Sequence, residues 1–138
     1  MDTSTIISNL QALSSTFSEQ RTERLARRSL DSADFTALAK AGFNLCGLPE
    51  AEGGVWKNVE ESTRSIAEMV RTIALGDPSV GLVAAMHPCV LSLWLAAGDA
   101  PDDYQQAWNT QRDWVFDTVK QGNWGERSHP NRDRVAIS

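Results

Sequence analysis

A chain of 138 residues holds one compact domain and is too short for the two or three domains of a typical redox enzyme. With 41% hydrophobic and 22% charged residues, it falls outside the disordered and fibrous classes. A net charge of −5 and a pI near 4.9 leave no basic footprint for phosphate backbones, which excludes nucleic acid as an expected partner.

Ile6, Leu10, Leu13 and Phe17 recur at helical spacing, and the chain then turns polar and charged to Arg28. This predicts one amphipathic helix over about Thr5 to Arg28 with a solvated end. Leu30-Asp31-Ser32 supplies capping side chains for a short second helix through Phe35, Leu38 and Ala39, and Gly42 suits the position just past its end. From Phe43 to Gly54 the chain is dense in turn formers and reads as a loop with apolar anchors. Ile66, Met69, Val70, Ile73 and Ala74 then share one face of a third helix over Val59 to Ala74, with Glu60, Glu61, Arg64, Glu68 and Arg71 on a solvated face.

Asp77 can cap a fourth helix, and Pro78 suits its first turn. Its body, Val80 to Ala97, is apolar nearly all round, which predicts a helix enclosed by others, kinked at Pro88. Gly98 to Pro101 stops it. Tyr104, Trp108, Gln111, Val115 and Val119 mark a fifth helix over about Asp102 to Lys120. No alternating segment is long enough for a sheet, so the expected class is all-α, a bundle of five to six helices with an irregular C-terminal tail. Leu48, Ile66, Met69, Val83, Leu91 and Trp94 are the expected core.

Cys46 and Cys89 lie far apart in apolar surroundings, as small buried hydrophobes do, and imply a reducing, cytoplasmic setting. No secretory pattern opens the chain. The longest apolar run is broken by His87, Pro88 and Ser92, so no membrane crossing is expected. Two histidines, His87 and His129, with no CxxC or HExxH, give no metal site, and no GxSxG, P-loop or GxGxxG supplies a nucleophile or phosphate cradle. No catalytic and no cofactor-binding residue is assigned. His87 has two readings: a core histidine bonded to a carbonyl, such as one freed by Pro88, or a pocket residue. The five tryptophans, at helical spacings, read as core or interface anchors before a ligand platform.

Three stretches, in order, carry a resemblance. Ala41-Gly42-Phe43 followed by Gly47-Leu48-Pro49-Glu50-Ala51-Glu52-Gly53-Gly54 looks like the turn "GxxGLxVPExxGG". Ile66 to Arg71 is similar to the helix "xxEELAR". Asp77-Pro78-Ser79-Val80-Gly81 leading to His87 is similar to "DxSVAxxxxxH". Together they resemble the N-terminal helical domain of the acyl-CoA dehydrogenase superfamily, although Val55-Trp56-Lys57-Asn58 departs from the usual glycine-rich continuation. The implied domain spans residues 1–125.

In that family a stretch like "ITSEPGSGGD" opens a β-domain that contacts the flavin, and a C-terminal helical bundle follows. Residues 126–138 match nothing in it as written. With synonymous third bases chosen freely, they back-translate in a shifted frame to AITSEPGSGGDI, so residues 126–138 are expected to be an out-of-frame, disordered tail. The resemblance implies an N-terminal fragment of an FAD-dependent oxidoreductase of fatty acid metabolism that acts on acyl-CoA and binds no flavin by itself. A branch of the family similar to dibenzothiophene monooxygenase places a histidine on the helix matching Val80 to Ala97, which makes His87 the candidate substrate-pocket residue. Self-association, a complementing flavin-domain subunit and a non-catalytic helical interaction module are the other expectations left open.

Overall fold

Side-chain caps set where most of the helices begin. Asp2, Asp31 and Asn58 each accept a backbone N–H from the first turn they precede, and Asp77 accepts those of Ser79 and Val80 at 3.0 and 3.1 Å. The computed structural model describes residues 1–96 and 100–124. Among these are six α-helices: α1 (Thr3–Glu19), α2 (Arg21–Ala26), α3 (Ser32–Lys40), α4 (Val59–Gly76), α5 (Pro78–Ala96) and α6 (Gln105–Lys120). No strand occurs among the described residues, and the chain is all-α. The expected tail at 126–138 lies outside the described residues, as do Gly98 and Asp99 of the expected helix stop.

The loop after α3 is folded back on itself rather than extended. Gly42 takes the left-handed conformation, with φ of 94°, and closes α3 as expected. Short 3-10 turns follow at Phe43–Gly47 and Glu50–Glu52. The Trp56 N–H then donates to the Leu48 carbonyl at 2.8 Å, and the Glu50 N–H donates to the Trp56 carbonyl at 3.0 Å. This staple needs glycine: a Cβ on Gly54 would sit 2.1 Å from the Leu48 carbonyl oxygen.

α4 lies between α1 and α5, and small residues allow the close approach. A Cβ on Gly76 would meet the Ser14 backbone at 2.6 Å, and one on Gly81 would meet Ala74 at 2.8 Å. Ile6, Leu10, Leu38, Phe43, Met69 and Val80 fill the core between α1, α3, α4 and the start of α5. A second cluster, Leu48, Leu91, Val115, Phe116 and Val119, fastens α6 to the loop and to α5.

Four sequence expectations are corrected. The first helix is two, because the backbone leaves helical geometry at Gln20, and the second piece turns inward instead of ending in solvent. Arg24 on that piece is buried over the Phe17 ring, 3.7 Å from its centroid. Its guanidinium donates to both carboxylate oxygens of Asp34 and, at 2.9 Å, to Asp77. Second, Val83 is 43% exposed, and Ile66 and Trp94 are half-buried, while Leu48, Met69 and Leu91 are core as expected. Third, Cys89 is exposed and only Cys46 is buried.

The fourth correction concerns α5, which is not enclosed. Val80, Ala84, His87 and Leu91 face inward, whereas Leu82, Met86 and Leu93 are 73, 58 and 62% exposed. Uniform apolarity carries no phase, so it does not show which side of a helix is covered. By length and composition α5 could cross a membrane, with a mean hydropathy of 1.7, although here it packs on α4 and the loop.

Candidate functional site

One flank of α5, the loop, α3 and the residues after α6 border a cavity of about 970 Å³. Phe35 lines it from α3, Val83, Met86 and Val90 from α5, and Trp124 from the segment past α6, with His87 set among them. The wall is mostly apolar and aromatic, and its few polar groups include Asn44, Lys40 and Lys120.

His87 is 5% exposed, and its Nε2 lies 3.0 Å from the Asn44 carbonyl oxygen. A carbonyl only accepts, so Nε2 carries the proton and Nδ1 of the neutral ring is left with a bare lone pair. Nδ1 is buried and has no hydrogen-bond partner. Burial pushes the His87 pKa below its ordinary value of 6.5, against the opposing effect of the Asn44 hydrogen bond. The imidazole is therefore a neutral acceptor at physiological pH. The carbonyl that fixes it belongs to the loop, not to the α5 backbone freed by Pro88.

Aromatic rings hold the imidazole in place. The Trp124 ring centroid is 4.9 Å from that of His87, stacks on Phe43 at 5.8 Å and meets Phe35 edge-on at 5.3 Å. Asn44 joins the pieces: its carbonyl holds His87, and its side-chain amide donates to the Val119 carbonyl at 3.0 Å. Sequence reasoning placed Asn44 among turn formers, because a single polar residue in a loop has no periodicity to mark it. Of the other tryptophans, Trp56 is buried at the staple, and Trp94 and Trp108 pair at 4.5 Å between α5 and α6. Trp94 and Trp108 thus anchor α6 to α5, whereas Trp56 lies in the loop and not on a helix.

Lys120 hydrogen-bonds Glu52 and, at 3.2 Å, Asp117; these bonds raise its pKa and tie α6 to the Glu50–Glu52 turn. Asp77 is held below the usual carboxylate range. Burial works against its charge, but the Val80 N–H, the Arg24 guanidinium and the Ser79 N–H outweigh it. Among the described residues no cluster of metal ligands occurs.

A diphosphate is commonly seated on free N–H groups at a helix start; the starts of α1, α3, α4 and α5 are capped by the side chains of Asp2, Asp31, Asn58 and Asp77, whereas those of α2 and α6 carry no side-chain cap. Three of these caps are carboxylates, which would repel the phosphates. Comparison with known proteins returns no match to a protein-family model, a curated protein or a solved structure.

Proposed function

We propose that this chain is the helical wall of a substrate pocket in an acyl-CoA-dehydrogenase-like flavin oxidoreductase, inactive without the domains that carry flavin and base. One observation supports the reading above others. Gly42 from the first of the three stretches that carry the sequence resemblance and His87 at the end of the last both line one mostly apolar cavity. The remaining stretch, Ile66 to Arg71, lies on α4, which braces α5 from behind.

In such an enzyme the cofactor supplies the redox chemistry, and this chain binds, orients and excludes water. The parent activity is FAD-dependent α,β-dehydrogenation of an acyl-CoA. A second reading, a flavin-dependent monooxygenase acting on a neutral aromatic substrate, is favoured by the His87 acceptor. A thioester carbonyl also accepts and gives Nδ1 nothing to bind, whereas a hydroxyl or N–H donor satisfies it.

The test is to sequence the gene past the codon for Trp124 and to co-express any β-domain found in the alternative frame. A yellow complex that turns over an acyl-CoA, or an aromatic compound with reduced flavin, supports the proposal. Absence of any β-domain in that frame, or flavin absorbance from the purified chain alone, overturns it.

A further inference from the structure

Asn44 bonds to both of the helices that meet at the cavity. Its main-chain carbonyl lies 3.0 Å from Nε2 of His87 on α5, and its side-chain amide donates at 3.0 Å to the Val119 carbonyl, 75 residues along the chain. That second bond falls in the last turn of α6, where carbonyls lack helical partners. The same Val119 carbonyl accepts the Gly122 N–H at 2.9 Å, in the turn that brings Trp124 against the His87 ring. The imidazole is thus held both by the loop and by the segment that ends α6.

We infer that the loop and the end of α6 form a proton-sensitive clasp: Asn44 and Trp124 keep α6 seated while the His87 ring is neutral, and a proton on Nδ1 lifts the end of α6 and opens the cavity. The clasp is a property of this chain and does not depend on the flavoenzyme reading. Its basis is the fate of the added N–H. With α6 seated, Nδ1 is buried without a partner, so the new donor has no acceptor. The titratable residues that border the cavity with His87 are Lys40 on α3, Lys120 on α6 and Met1 with its terminal amine, and among the described residues no carboxylate borders it. The carboxylates of the surrounding elements are engaged elsewhere: Asp34 with Arg24, Glu68 with Arg71, and Glu52 and Asp117 with Lys120. The Trp124 ring meets the imidazole tilted at 60°, and a ring face takes up an N–H only weakly. Water is left as the acceptor.

The route for water runs past Trp124. Phe43 and Leu91, on the core side of His87, are fully buried. Gln121 and Gly122 are exposed, and Trp124 is half-buried. The end of α6 is therefore the wall that can part from the ring without opening the main core. The coupling is reciprocal: a weaker seat for α6 makes the ring easier to protonate, and a tenfold weaker seat moves the titration up by at most about one pH unit.

Nuclear magnetic resonance of the full chain in a His129→Gln background, where His87 is the only imidazole, tests the clasp. The ring is expected to titrate below pH 6.5. Overhauser contacts between the His87 and Trp124 rings, and from the Asn44 amide to Val119, are expected to fade with the same midpoint, while those within the main core at Leu10, Met69 and Ile73 persist. Asn44→Ala is expected to move the midpoint upward. Val115→Ala, which loosens α6 in its cluster with Leu48 and Leu91 without removing either Asn44 bond, is expected to move it the same way and carries the test where Asn44→Ala does not fold. Trp124 contacts that survive the titration of His87 overturn the clasp. Loss of the core contacts at the same midpoint also overturns it, because the whole fold then gives way. So does a midpoint that Val115→Ala leaves unmoved. Fading of the Asn44 to Val119 contact at the same pH in His87→Gln assigns the release to Glu52 and Asp117 and overturns the proposal as well.

Discussion

α4 and α5 are neighbours of nearly equal length, 18 and 19 residues, and they pack on each other. α4 separates its surfaces by chemistry: Met69 and Ile73 are buried, and Glu60, Glu61, Arg64 and Arg71 are exposed. α5 separates its surfaces only by burial, with leucine and valine on both sides. The difference teaches that a charged stripe along a helix marks the side that meets water, whereas a helix apolar all round shows only that something must cover it. For α4 that cover is inside the chain. On the outward side of α5 it is not supplied by the described residues.

The joint between the two helices is the place where the contrast breaks most severely. Arg24→Ala removes the cation shared by Asp34 and Asp77, leaving Asp34 with Arg27 at 3.4 Å and Asp77 with only its backbone donors. The expected loss is about 3 to 5 kcal/mol in denaturant titration. A change below about 1 kcal/mol would show that the pair is hydrated and that the α2 turn is not fastened to the helix start.

Substitution on the two sides of α5 sharpens the comparison directly. Leu91 is fully buried between the loop and α6, and Leu91→Ala is expected to cost about 2 to 5 kcal/mol in thermal or urea unfolding. Leu82→Ala on the outward side, measured at concentrations where the chain is monomeric, is expected to stay within about 0.5 kcal/mol of the parent. Equal losses at both positions would mean that α5 is covered on both sides within one copy.

A subtler effect concerns protons. The folded state depresses the His87 pKa below 6.5. Between the depressed value and 6.5 the unfolded chain holds a proton that the folded chain refuses, so stability rises with pH across that window. The contribution is complete above about 6.5 and is lost as the pH falls below it. The melting temperature is expected to decline from about pH 7 to about pH 5, and His87→Gln, which keeps a donor for the Asn44 carbonyl, is expected to flatten that part of the slope. Asp77 acts in a lower window: its depressed pKa gives stability that is present above its ordinary value of 3.8 and lost as the pH falls through the folded value. An unchanged slope between pH 7 and 5 in His87→Gln would show that the ring is hydrated.

Features with a local physical signature were legible in the sequence. Asp31 and Asp77 announce helix starts, Gly42 a helix end, and the Ile66 to Ala74 spacing a one-sided helix, and all of these hold. What failed depends on contacts distant in the chain. Arg24 reads as a solvated charge until Asp77, 53 residues away, is brought beside it. Val83 and Cys89 read as core because their neighbours are apolar, yet Cys89 is exposed and Val83 sits at the edge of the cavity, 43% exposed. At the candidate site His87 stood out as a polar residue in an apolar run, whereas Asn44 became visible only through its two partners on α5 and α6.

Cys46 has a consequence of its own. It is fully buried in the main core, and that environment pushes its thiol up to about 12, where almost no thiolate exists in neutral solution. An alkylating reagent therefore meets it only when the surrounding helices part. In a Cys89→Ala background the pace of alkylation becomes a clock for that opening, able to tell a brief local breathing of the loop from collapse of the whole fold.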